Sequence, residues 1–259
     1  MQFFFVVALG RSGTEMISTL LQLDQRACVH HEPHEYDAKI VGLRRARLFD
    51  QALDGLLESR FDELISGMDG RYEIYGEVNS YLRYETDWLT RRFSAPLVRI
   101  YRDGREFVRS SYSRPVYTAQ DGNLPILPCN DDPAARRWSS MTRFEKLCWY
   151  WNHTNSYLAD HVPAGGKMER ALTEYDYFHE RILEPLGLEV PEESWSNLVS
   201  RPRNTSSRYN REQLIRRLFS RTRRAASPGS IPHWSKWNDE MTRQFWSICG
   251  DTMTRLGYT

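Results

Sequence analysis

The hydrophobic and polar positions of this chain fall into short apolar runs separated by longer amphipathic stretches. Residues 2–9 (QFFFVVAL) form a β-rich run, apolar from Phe3 onward, as expected of a strand buried on both faces. Gly10-Arg11-Ser12-Gly13-Thr14 follows, and then a helical pattern through Met16, Ile17, Leu20, Leu21 and Leu23. Further strands are predicted over Ala27–His31, Tyr72–Val78, Pro96–Tyr101 and Lys167–Leu172. Helices are predicted over 38–68, Tyr84–Phe93, Asp103–Ser113, Arg143–Val162 and near 176–186, 209–224 and 237–256. Residues 115–135 carry four prolines with Gly, Asn and Asp, and read as a long loop of the kind that often serves function. Strands alternating with helices give an α/β fold: three layers, with a central, mainly parallel β-sheet flanked by helices. Neither a repeat nor a linker interrupts the pattern, so residues 1–259 are read as one domain.

Composition sharpens this picture in three places. The chain has 259 residues and 40% hydrophobic content, enough for a substantial core. Its net charge of +1 argues against a bulk polyanion as partner, so neither nucleic acid nor a membrane surface is expected. That sum conceals an asymmetry: residues 201–224 hold nine Arg and one acid, Glu212, for a local charge of +8, leaving −7 for the rest. Arg is suited to a planar, bidentate grip on phosphate or carboxylate. Cys28, Cys129, Cys148 and Cys249 form no CxxC pair, which fits a reducing compartment. The longest apolar run is far too short for a membrane span and lacks signal-peptide flanks, so a cytoplasmic protein is expected.

Two segments carry candidate chemistry. A buried strand, a Gly-bearing turn and an immediate helix make an anion site, because unpaired N–H groups and the helix dipole converge there. Gly10 and Gly13 allow close backbone approach, Ser12 and Thr14 add hydroxyls, and Arg11 adds a charge. A plain strand–helix turn uses glycine in the same way. The nucleotide kinase or hydrolase loop requires Lys before the hydroxyl residue; here Thr14 follows Gly13 directly, which disfavours Mg²⁺-assisted triphosphate chemistry. The second segment begins where the strand ending at Tyr101 delivers Arg102, with Ser110 eight residues later and Arg114 four beyond that. Arg102 leaves a strand at its C-terminal end, where open α/β sheets bind ligands. On a continuing helix, Ser110 and Arg114 would share a face.

Together these segments resemble the sulfotransferases that use 3′-phosphoadenosine 5′-phosphosulfate (PAPS) and release PAP. The strand-GRSGT-helix unit is similar to their 5′-phosphosulfate loop in its Arg-containing version. Arg102, Ser110 and Arg114 are similar to their 3′-phosphate signature. The resemblance implies the P-loop-like sulfotransferase fold, PAPS as co-substrate and no metal. It assigns Gly10, Arg11, Ser12, Gly13, Thr14, Arg102, Ser110 and Arg114 to the nucleotide. It departs from the family at Glu15, where most members have Thr, at Gly104 for a frequent Pro, and at Val78, where a Lys often stands; Lys236 is a candidate source of that charge.

Transfer of a sulfuryl group needs a base for the acceptor's proton. The cluster His30-His31-Glu32-Pro33-His34-Glu35 follows the second strand, and by resemblance Glu32 is the base, with Arg11 stabilising the transferring group. His31 and His34 are the competing bases. The cluster is not the H-E-x-x-H metal motif, and Pro33 breaks any helix through it. The acceptor is a small molecule or carbohydrate carrying a hydroxyl or amine; Trp88, Trp138, Trp149, Trp151, Trp234 and Trp237 are candidates to line its cleft. The Arg-rich segment resembles one that folds over the nucleotide, with 227–230 as its turn. A small P-loop kinase or nucleotide hydrolase, and a non-catalytic PAP-binding protein on the same fold, are the alternatives.

Overall fold

A computed structural model describes residues 1–34, 37–45, 50–68, 70–119, 121, 126–200 and 229–259. The Arg-rich segment 201–224, Ser227, Pro228 and Glu35 lie outside these described residues.

Five strands form one sheet: β1 (Gln2–Ala8), β2 (Ala27–His31), β3 (Ile74–Val78), β4 (Leu97–Tyr101) and β5 (Gly165–Lys167). Their order is β2-β3-β1-β4-β5, and every pairing is parallel. The sheet is therefore wholly parallel among the described residues, and the expected α/β class holds. Alternation along β1 divides the core. Phe4, Val6 and Ala8 pack with Ile17, Leu20, Phe178 and Trp195 on one face. Phe5 and Val7 pack with Leu53, Leu57, Phe61 and Leu158 on the other. All five of these strand residues are fully buried, which is why the run carries no polar position.

The helices are α1 (Thr14–Leu21), α2 (Asp37–Arg45), α3 (Asp50–Ser66), α4 (Thr86–Phe93), α5 (Gly104–Tyr112) and α6 (Arg143–His161). They continue with α7 (Met168–Ala171), α8 (Tyr175–Phe178), α9 (Glu184–Leu186), α10 (Glu192–Val199) and α11 (Asp239–Arg255). A π-turn over His179–Leu183 joins α8 to α9, and a 3-10 turn spans Ser80–Tyr84. α6 and α11 pack together over α5 through Leu147, Trp151, Phe245 and Met253. α6 starts with a full capping box, in which Thr142 and Glu145 satisfy each other's backbone N–H.

The helical stretch expected over 38–68 holds α2 and α3. Two expectations change. The last strand is Gly165–Lys167, and 168–171 is helical. The strand passes so close to β4 that a Cβ at Gly165 would lie 2.3 Å from the Arg99 carbonyl oxygen. The position admits only glycine, so the apolar signal that marks the other strands is missing. Helix α10, which buries Trp195, escaped the sequence reading altogether.

The chain leaves β1 toward β2 and leaves β4 toward β5, so these neighbouring strands send their connections in opposite directions. In open parallel sheets the crevice outside the C-terminal ends of such a pair is where ligands bind.

Candidate active site

At that crevice lies a cavity of about 550 Å³. Gly10, Arg11, Gly13 and Thr14 after β1, His31 and Glu32 at the end of β2, and Arg102 after β4 line it. So do Ser80 and Arg83 after β3 and Met168 after β5, so all five strand ends contribute.

The turn after β1 is built as a cradle. Arg11 has φ 74° and Gly13 has φ 77°, both left-handed. Gly13 is the N-cap of α1, and no side chain caps that helix. Asp103, Thr142 and Asn238, by contrast, cap α5, α6 and α11. The first N–H groups of α1, like those of α4 and α7–α10, thus have no side-chain acceptor, and Gly13, Thr14 and Glu15 bring this helix end to the cavity, as an anion site requires. A Cβ at Gly13 would lie 2.7 Å from Met168 Cγ, so the close approach also depends on glycine. Ser12 is buried behind the turn rather than in the cavity wall. Glu15 sits in the first turn of α1, exposed at the cavity.

The two candidate segments meet. Arg11 Nε donates to Ser110 Oγ at 3.2 Å across 99 residues of sequence, and Arg102 Nη1 donates to the Arg11 carbonyl at 3.2 Å. Arg102 Nη2 also lies 3.6 Å from Glu106, while its Nε is buried with no partner among the described residues. Trp151 Nε1 donates to the Arg102 carbonyl at 2.9 Å and fixes the strand end. Arg114 departs from expectation. Helix α5 ends at Tyr112 and Ser113 is its C-cap, so Arg114 lies past the helix and not one turn further on its face.

On the other side, Glu32 Oε1 accepts the Ser80 hydroxyl at 2.5 Å. Its backbone is left-handed, φ 45°. Four non-glycine residues adopt positive φ among the described residues, and three of them (Arg11, Glu32 and Tyr117) line this cavity. Strain of this kind persists where the surroundings enforce it, and it gathers at functional sites. His31 Nε2 lies 2.9 Å from Thr14 Oγ1, linking the ends of β2 and β1. His30 faces the other way, 3.4 Å from Cys28 Sγ and against the Tyr75 ring. His34 and Lys236 are not among the residues lining the cavity, and Lys236 is exposed.

The expected tryptophans do not form the cleft wall. Trp88 and Trp151 belong to the core, and Trp149 stacks on His153 outside the cavity lining. Tyrosines take that place: Tyr81, Tyr117 and Tyr150. Burial pushes the phenol of Tyr117 well above its ordinary pKa. Burial raises Tyr150 as well, against the opposing pull of Arg83. All three rings are therefore neutral hydrogen-bonding groups at physiological pH. Arg83, which sequence reasoning missed, is the buried cation behind them; its only signal was a charge directly after buried Leu82 in the segment following β3.

No family model matches the chain, and no curated protein matches it in sequence. Among solved structures it aligns with a sulfotransferase from Alicyclobacillus acidocaldarius, at 14% identity over 84% of this chain and 92% of the other, TM-score 0.47. It also aligns with mouse sulfotransferase SULT7A1 complexed with PAP, at 13% identity over 97% and 84%, TM-score 0.48. A third match is the sulfotransferase domain from the curacin biosynthetic pathway, at 10% identity over 100% and 98%, TM-score 0.45. All three are sulfotransferases, the family that the sequence motifs resemble.

Proposed function

We propose that the protein is a PAPS-dependent sulfotransferase acting on a hydroxyl- or amine-bearing acceptor. The observation that carries this reading is the contact of Arg11 with Ser110, reinforced by Arg102 on the Arg11 carbonyl. Two motifs distant in sequence, each with the form of a phosphate site, become one site at the crevice between β1 and β4.

The residues fit the nucleotide. The uncapped start of α1, the two glycines and the Thr14 hydroxyl would hold the 5′-phosphosulfate end, with Ser12 packed beneath the turn. Arg102, with its unpartnered Nε, Ser110 and Arg114 are assigned to the 3′-phosphate. PAPS, when bound, supplies an activated sulfuryl group, with PAP as its leaving group. Glu32 is assigned as the base: one carboxylate oxygen is held by Ser80, which fixes the direction in which the carboxylate faces the acceptor. It takes the acceptor's proton as the acceptor oxygen or nitrogen bonds to sulfur. Arg11 compensates charge on the oxygen that departs with PAP. His31 is engaged with Thr14, which favours a positioning role over that of base.

Glu32→Gln is expected to lower kcat by at least about 100-fold while PAP affinity, measured by calorimetry, stays within about twofold of wild type. Normal turnover in that variant would remove Glu32 from the mechanism.

A further inference from the structure

Arg83 stands in an unusual environment for a cation. Its residue is 3% exposed, yet it lines the cavity. Nη2 donates to the Tyr150 hydroxyl at 2.7 Å, and Nη1 donates to the Ser80 carbonyl. Its guanidinium also lies over the rings of Tyr84 and Tyr150, 5.2 and 5.6 Å from their centroids. Nη1 and Nη2 are thus engaged, the Tyr84 side chain is a further polar neighbour, and Nε is buried with no partner among the described residues. No carboxylate forms an ion pair with it among the described residues. Glu32 and Asp121 line the same cavity, but Glu32 is engaged by Ser80, and Asp121 accepts the Tyr117 N–H. The contrast within the fold is sharp. Buried Arg60 is bidentate to both Asp37 and Glu77. A buried guanidinium without a counter-charge is costly and cannot shed its proton.

We propose that Arg83 receives its counter-charge from the acceptor, and that the enzyme's acceptors are hydroxyl compounds that carry a carboxylate. A guanidinium matches a carboxylate in shape and charge. Ser80 ties the two functions together: its carbonyl takes Arg83, and its hydroxyl takes Glu32. An acceptor anchored at Arg83 thereby presents its hydroxyl beside the proposed base. Tyr81, Tyr117 and Tyr150 close the space around it as neutral, amphipathic walls.

The inference rests on the sulfuryl-transfer reading, and one experiment separates the two. The full chain is assayed with PAPS on hydroxy acids paired with their methyl esters, 4-hydroxyphenylacetate and 3-hydroxybutyrate among them. Wild type is expected to favour an acid over its ester by at least about tenfold in kcat/KM. Arg83→Met should bring that ratio to about one, chiefly through KM, and Arg83→Lys should keep part of the preference. PAP affinity should stay within about twofold in both variants. A buried unpaired charge replaced by Met should leave the unfolding midpoint unchanged or higher, whereas a purely structural Arg83 would lower it. Equal or better use of the esters by wild type, or a preference that survives Arg83→Met, overturns the inference and leaves sulfuryl transfer standing. Failure of wild type to bind PAP overturns sulfuryl transfer instead. In that case saturation-transfer NMR with 4-hydroxyphenylacetate decides on Arg83. A signal lost in Arg83→Met supports the site, and one that is absent in wild type or indifferent to the substitution overturns it.

Discussion

In the proposed scheme Arg11 illustrates how a single residue trades stability for function. Its left-handed backbone, φ 74°, is a conformation in which glycine is at ease and arginine is not. The strain is of the order of 1 kcal/mol, about the same size as the flexibility that glycine adds to the unfolded chain. Arg11→Gly is therefore expected to leave the denaturation midpoint unchanged or slightly raised, while weakening PAP binding at least about tenfold through loss of the guanidinium. A marked fall in stability with PAP binding intact would mean that Arg11 is structural. Glu32 and Tyr117 share this strained geometry and line the same cavity, which makes the outlier backbone a better guide to the site than composition was. Conformation of this kind leaves no trace in sequence at a non-glycine position. Gly13 could be read as a turn, whereas Arg11, Glu32 and Tyr117 could not be read as strained.

Among the elements, β3 and its neighbours do more than complete the sheet. Arg60 from α3 joins Asp37 of α2 to Glu77 of β3, Asn79 donates to both carboxylates, and the Tyr75 hydroxyl donates to Glu77. Asn79 in turn accepts the Tyr81 N–H and so orders the turn that carries Ser80 and Arg83. Arg60→Met would leave two carboxylates buried without their cation, at a cost of about 3–5 kcal/mol, visible as a lower denaturant midpoint. An unchanged midpoint would mean that water or another cation reaches the pair. The network also shows where sequence reading ran out. β1, β2 and β4 were legible because their apolar runs are bounded by turns, and α6 because its aromatic positions repeat at helical spacing. β5 was misplaced because two glycines replace the side chains that would have marked it. The phosphate-type segments could be read because glycine and arginine follow strand ends. The Arg60 network and Arg83 could not, since a charged residue in sequence gives no sign of whether it is buried, and only the packing of α2, α3 and β3 shows it.

For the whole molecule, the net charge of +1 proves a poor summary. Cations gather where the strands end: Arg11 and Arg102 on one side of the cavity and Arg83 on the other, with Glu32 between in the proposed scheme. The Arg-rich segment 201–224 lies outside the described residues, and a covering role over the nucleotide is our proposal for it. Among the described residues no helix is long and apolar enough to cross a membrane. The strand order explains why the cations meet. Residues 91 apart in sequence become neighbours because β1 and β4 pair in parallel and deliver their C-terminal ends to one crevice. The measurement that bears most directly on this account is calorimetric titration of the full chain with PAP, in the absence of Mg²⁺, beside ATP and GTP with Mg²⁺. The account predicts saturable PAP binding without metal, weakened at least about tenfold by Arg102→Ala, and weaker binding of both triphosphates. Tight Mg²⁺-dependent binding of ATP or GTP, with no binding of PAP, would contradict it.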